Sequence, residues 1–185
     1  IGPGLANYSK DIISEQLYVG SYLSLALLTF IPAILFLFYE SNSKVKVNIK
    51  YSGRSRLELI SQPRFLQAIV AAAFGYAVMT FLMTATPLSM HVMEGMSLDK
   101  TSIVIQLHVA AMFLPSLVTG HLVKKYGHSN IMYLGVLLYS VTIIVSLFDQ
   151  TFFNYLFALI FLGFGWNFLF ISGTSLLVLT YKEEE

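Results

Sequence analysis

The chain contains five long stretches without a single Asp, Glu, Lys or Arg, and these stretches restrict its fold more than any other feature. They are Leu17–Tyr39, Phe65–Val92, Thr101–Val123, Ile131–Phe148 and Phe152–Thr180. A helix needs about 20 residues to cross a hydrocarbon core about 30 Å thick. Because lipid offers backbone groups no hydrogen-bond partner, each stretch is predicted to be a transmembrane α-helix, and the alternating pattern of a β-barrel is absent. The predicted fold class is all-α, a polytopic helical membrane protein.

Composition excludes several classes of function. Hydrophobic residues make up 56% of the chain and charged residues 11%, against roughly 25% charged residues in a soluble domain. A net charge of +1 gives no electrostatic footprint for nucleic acid, so no nucleic-acid partner is expected. The chain has no cysteine and four scattered histidines, which argues against a metal site. No paired carboxylate, nucleophile arrangement or phosphate loop is present, so we expect neither an enzyme nor a cofactor.

The distribution of Lys and Arg predicts the direction of the helices. The segment 40–64, the turn at Lys124 and Lys125, and Lys182 place nine basic residues on one side. The other side has only Lys10 and Lys100. By the positive-inside rule the first side is cytoplasmic, so the chain starts outside and its C-terminal end lies in the cytoplasm.

Two features suggest a piece of a longer polypeptide. The chain starts at Ile1 rather than Met, and it ends in the charged run Lys182–Glu185 directly after a predicted span. We therefore expect the rest of the same polypeptide to be missing from this sequence, although a genuine five-span protein is the alternative.

Polar residues inside predicted spans are costly in lipid and mark candidate sites. In the second span Tyr76, Thr80, Thr84 and Pro87 share one helix face. These hydroxyl groups either line a water-filled cavity or bond back to carbonyls of their own helix. Pro87 removes a helix hydrogen bond and predicts a kink.

The third and fifth spans carry further candidates. Gln106 and His108 lie about two turns from the outer surface, and Pro115 predicts a bend further in. His108 either contacts substrate, relays protons or bonds to a neighbouring helix. In the fifth span two glycines flank the only tryptophan, and the candidate residues there are Gly163, Gly165, Trp166 and Asn167. They are either ligand contacts and a kink or close helix packing.

The turn Gly120–His128 resembles the G-x-L-x-D-R-x-G-R loop of the major facilitator superfamily, which recurs between the second and third helices of each six-helix half. Gly120, Leu122 and Gly127 match, and Lys125 keeps a basic position. Lys124 stands where the family has Asp, and His128 where it often has Arg. These five positions, Gly120, Leu122, Lys124, Lys125 and Gly127, are the predicted gate loop.

The resemblance covers nearly the whole chain and implies the sixth to tenth helices of a twelve-helix transporter. Residues 1–40 would be an outer segment and the last helix of the N-terminal bundle. Residues 41–64 would be a basic cytoplasmic linker, and residues 65–185 the first four helices of the C-terminal bundle. The seventh, eighth and tenth helices would then line the cavity. The residues that would contact the substrate are Tyr76, Thr80, Thr84, Gln106, His108, Trp166 and Asn167.

The resulting hypothesis is a secondary active transporter that moves a small molecule by alternating access. Its partners would be the lipid bilayer, the substrate and, as a candidate coupling ion, a proton. Its location would be a bacterial inner membrane. The alternatives are a non-transporting accessory subunit and a membrane-embedded enzyme acting on lipid, for which no convincing ionisable pair is present.

Overall fold

The computed structural model describes residues 2–10, 12–13, 18–38 and 54–181, and it divides the chain into two compact units, residues 1–50 and 51–185. The first unit is a helical hairpin of α1 (Gly2–Ser9) and α2 (Val19–Leu37). Gly20 lies directly against α1, where a Cβ atom would collide with the Ser9 carbonyl. Much of the basic linker predicted from the sequence, residues 41–53, lies outside the described residues.

The second unit contains the remaining helices. They are α3 (Arg56–Ile60), α4 (Pro63–Leu88), a π-helical turn (Ser89–Met93), α5 (Leu98–Phe113), α6 (Ser116–Tyr126), α7 (His128–Ser146) and α8 (Phe152–Val178). Throughout the described ranges all regular structure is helical, which confirms the all-α prediction.

Among the described residues, five helical segments are long and apolar enough to span a membrane, as the sequence predicted. They are Val19–Leu37, Pro63–Met93, Leu98–Tyr126, His128–Ser146 and Phe152–Val178. The third of them consists of α5 and α6, which are separated by a break at Leu114 and Pro115. The protein is therefore an integral membrane protein built as a helical bundle.

Local chemistry explains where the helices begin and end. Pro63 occupies the first turn of α4, where its missing N–H costs nothing. The hydroxyls of Ser97 and Thr151 accept hydrogen bonds from first-turn N–H groups of α5 and α8. Gly127 has φ +84° and reverses the chain between α6 and α7, a conformation that a residue with a side chain rarely adopts.

Helix α8 forms the centre of the second unit. In an 18-residue apolar window of this helix 61% of the residues are buried, against 17% to 33% in the other spans of this unit. Glycines allow three neighbours to approach it closely: Gly163 faces α5, Gly165 faces α7, and Gly173 faces α4. A Cβ on Gly163 would lie 2.8 Å from the Ala111 Cβ and 2.8 Å from the His108 carbonyl oxygen. Buried apolar side chains of α4, α5 and α7 form one hydrophobic cluster with side chains of α8.

This packing predicts that Gly163→Ala destabilises the bundle, because the added methyl group meets backbone that cannot move away. Overpacking of this kind costs about 1–3 kcal/mol, so the thermal unfolding midpoint in detergent should fall. Gly120→Ala is the matched control, since no atom lies within 4 Å of a Cβ at that helical glycine. Equal midpoints for the two variants would show that α5 and α8 are not held this close.

Candidate functional site

Four aromatic side chains from three helices meet near the middle of the membrane-spanning segments. Trp166 and Phe170 of α8 are stacked, with ring centroids 4.8 Å apart and an interplanar angle of 11°. Phe113 of α5 meets Trp166 edge-on at 5.9 Å, and Tyr76 of α4 lies 6.2 Å from Phe170. We call these four residues the aromatic cluster. Trp166 and Phe170 reach the same face because residues four apart in a helix are neighbours.

The aromatic cluster presents two rings at the surface of the unit. Tyr76 is 53% exposed and Phe113 is 60% exposed, whereas Trp166 is only 5% exposed. The buried indole Nε1 has no hydrogen-bond partner. The cluster therefore combines exposed ring faces with an unused donor directly beneath them, a combination suited to a planar molecule that carries an acceptor.

The α4 hydroxyls predicted to share a face with Tyr76 are exposed. Thr84 donates to the Thr80 carbonyl of its own helix at 2.8 Å, which is one of the two interpretations the sequence left open. Among the described residues the Tyr76 and Thr80 hydroxyls have no hydrogen-bond partner. This face of α4 therefore carries polar side chains near the middle of the span, and the Tyr76 and Thr80 hydroxyls on it are unpaired within the described part of the chain.

Gln106 and His108 of α5 lie in different environments. Gln106 is half-buried and donates to the Ser102 hydroxyl at 3.1 Å, one turn away. His108 is fully buried, and its Nδ1 lies 2.7 Å from the Leu159 carbonyl oxygen of α8. A carbonyl oxygen only accepts, so Nδ1 carries the hydrogen. The ring Nε2 is buried without a partner.

Asn167 is fully buried, and its whole side-chain amide is engaged. Nδ2 donates to the Met112 carbonyl oxygen at 2.7 Å and to the Ser116 hydroxyl at 2.6 Å. Oδ1 accepts from the Thr119 hydroxyl at 2.6 Å. The amide thus connects α8 to both sides of the break between α5 and α6.

The gate-loop residues occupy the end of α6 and the turn into α7. Gly120, Lys124 and Lys125 are exposed, and the Lys125 ammonium lies 5.1 Å from the centre of the Tyr126 ring. Leu122 packs against a small cluster of Val123, Ile131 and Phe168. This cluster ties the turn to α7 and α8.

The four predicted kink positions differ in local structure. Pro115 lies at the break between α5 and α6, and Pro87 lies in the last turn of α4, two residues before the π-helical turn. At Gly163 and Gly165, by contrast, α8 is continuous and the glycines are helix contacts. Within the described ranges no group of three or more His, Asp or Glu side chains could hold a metal ion.

Sequence reasoning did not identify three residues of this region: Phe113, Ser116 and Thr119. Phe113 lies in an apolar run that gives no sign of an aromatic contact. Ser116 and Thr119 follow Pro115 by one and four residues. A proline followed by hydroxyl residues within one turn is a signal that could have found them, because hydroxyls can satisfy backbone groups freed by proline in a membrane helix.

Comparison with known proteins identifies relatives over most of the chain. Residues 1–185 match the profile of the Major Facilitator Superfamily. The riboflavin transporter RfnT of Brucella anthropi is 39% identical over 179 residues, which cover 95% of this chain and 44% of that protein. The uncharacterized MFS-type transporter YddS of Bacillus subtilis is 32% identical over 133 residues, 70% of this chain and 30% of that protein. No solved structure matches the chain.

The chain therefore spans less than half the length of these curated relatives. The family profile nevertheless extends from the first residue to the last, and the five apolar helices agree with it. The resemblance first noticed in the turn Gly120–His128 is thus confirmed along the whole sequence. The chain belongs to the Major Facilitator Superfamily.

Proposed function

We propose that the full-length protein is a secondary transporter that moves a small molecule by alternating access, with the aromatic cluster as part of its substrate site. The observation that carries this proposal is the position of the cluster. Its rings come from three spans and lie near mid-membrane, where secondary transporters bind their substrates.

The polar face of α4 supports a water-filled cavity at this depth. An unpaired hydroxyl in hydrocarbon costs free energy, and water or a polar partner removes that cost. Tyr76 and Thr80 expose such hydroxyls. A neighbouring part of the exposed surface of α4 carries Phe74 and Phe81, which are 53% and 72% exposed. The two parts of this surface therefore suit two different surroundings, a cavity for one and apolar surroundings for the other.

The substrate class we propose is a planar heteroaromatic molecule of the flavin type. RfnT, the relative at 39% identity, is named a riboflavin transporter. A fused ring system could lie against the exposed rings of Tyr76 and Phe113, and base-like rings stacked on aromatic side chains gain about 1–3 kcal/mol each. The unpaired Trp166 Nε1 could donate to a ring carbonyl of the substrate after a small movement.

Two finer features belong to the same proposal. His108 is a candidate carrier of the coupling proton, because its buried Nε2 has no hydrogen-bond partner while Nδ1 bonds to Leu159. We place the Lys124–Lys125 turn and the C-terminal end in the cytoplasm of a bacterium, as the positive-inside rule predicts.

Transport itself is tested by expressing the full-length protein in a bacterial strain that cannot synthesise riboflavin. We expect growth at low external riboflavin and saturable uptake of the labelled vitamin, with no uptake of a labelled sugar of similar mass. If purified full-length protein in vesicles moves no flavin and copurifies with a stoichiometric membrane partner, the accessory-subunit alternative replaces the transport proposal.

The aromatic site predicts a loss of affinity when an exposed ring is removed. Phe113→Leu should raise the dissociation constant of the flavin about tenfold, since stacking of one ring is lost. Phe157→Leu is the matched control, because Phe157 is 50% exposed on α8 and makes none of the cluster's ring contacts.

Binding to the purified protein, measured by quenching of flavin fluorescence, separates the two variants without requiring transport. Trp166→Phe is a third variant for the same assay. It keeps a ring but removes the Nε1 donor, so it should weaken the binding of flavins that retain both ring carbonyls. Unchanged affinity in both Phe113→Leu and Trp166→Phe would place the substrate elsewhere.

A further inference from the structure

The break between α5 and α6 leaves backbone groups that need partners. Pro115 has no N–H and cannot donate to the carbonyl one turn earlier. Leu114 and Pro115 form a turn between the two helices. In a membrane span, carbonyl groups freed in this way must find partners within the protein.

The Asn167 side chain bonds to groups on both sides of this break and so joins the two helices. Its Nδ2 donates to the Met112 carbonyl oxygen, in the last turn of α5, at 2.7 Å. The same nitrogen donates to Ser116, the first residue of α6, at 2.6 Å. Its Oδ1 accepts from Thr119, one turn along α6, at 2.6 Å. The Thr119 hydroxyl also lies 2.8 Å from the Pro115 carbonyl oxygen.

These groups have no alternative partner in solvent. Asn167 and Thr119 are both 0% exposed. Both amide hydrogens of Asn167 are used, so the amide has no donor left for a ligand. The geometry accounts for this asparagine completely through contacts within the protein.

Helix α6 has few buried side chains of its own, and Thr119, which bonds to Asn167, is one of them. Only Thr119 and Val123 are buried along α6, while Leu117 and Val118 are 79% and 55% exposed. The helix leads directly into the turn of Lys124, Lys125 and Gly127. A fixed angle at Pro115 therefore fixes the position of this turn relative to α8.

We propose that Asn167 is a positioning residue that locks the bend at Pro115, so that α6 and the Lys124–Gly127 turn move together with α8. Loss of the lock frees α6 to change its angle at the break. This inference rests on the proposed transport function only where it predicts a lower maximal transport rate. The angle itself is a property of the fold and is measurable whether or not the protein transports anything.

The test measures the distance between α6 and the end of α8 in the full-length protein. Spin labels are attached to cysteines at His121→Cys and Leu179→Cys, both exposed sites, in a background without other reactive cysteines. Electron–electron double resonance should give one narrow distance distribution. Asn167→Leu should add a second population to this distribution, and the maximal transport rate should fall.

A second pair of variants decides the question if Asn167→Leu does not fold. Thr119→Val removes the donor to Oδ1 and should broaden the distribution, while Thr119→Ser keeps the hydroxyl and should restore it. Thr174→Val is the control, because the Thr174 hydroxyl bonds only to carbonyls of its own helix, Phe170 and Ile171. It should leave the distribution unchanged.

Substrate affinity separates positioning from direct contact. If Asn167 locks the bend, the flavin dissociation constant is unchanged in Asn167→Leu and Thr119→Val while the distances change. Unchanged distances in both variants would overturn the proposal, as would a weakened affinity at unchanged distances, which would make Asn167 a ligand. If the unmodified protein does not transport flavin, the proposed function is wrong, but the distance result is unaffected.

Discussion

The close packing of α8 against three neighbouring helices determines the arrangement of the second unit. Lipid tails are as apolar as leucine, so helices in a membrane associate through van der Waals contact and interhelical hydrogen bonds. Gly163, Gly165 and Gly173 allow this contact with α5, α7 and α4. The same close approach brings Trp166 to Phe113 and Asn167 to the break at Pro115. The proposed substrate site and the proposed lock therefore both depend on glycine packing.

The need to satisfy every polar group in lipid separates two kinds of polar residue in the second unit. Asn167 and the hydroxyl of Thr119 are buried and fully paired, so they hold the structure. On α4, the Tyr76 and Thr80 hydroxyls are exposed and lack partners among the described residues. Since an unpaired hydroxyl in hydrocarbon needs water or a polar partner, this face is the one that we propose borders the substrate cavity.

The sequence predicted the five spans, because absence of charge over 18 or more residues has few structural explanations. It also indicated the family, through the resemblance of the Gly120–His128 turn and the order of the spans around it. It could not decide between the roles open to Asn167, because the answer depends on Met112, Ser116 and Thr119, which lie 48 to 55 residues away. The aromatic cluster was equally hidden, since Phe113 and Tyr76 meet α8 only through tertiary packing. The periodicity of a sequence shows which residues share a face of one helix, but it does not show which other helix packs against that face.

The most direct test of this account is the water accessibility of α4 at mid-membrane. Tyr76→Cys and Phe81→Cys place single cysteines about 140° apart around the axis of α4 in the full-length protein. A charged, membrane-impermeant thiol reagent should label the cysteine at position 76, flavin should protect it, and the cysteine at position 81 should stay unlabelled. Equal resistance of both positions would contradict the account, because the polar face of α4 would then border lipid or packed protein instead of a substrate cavity.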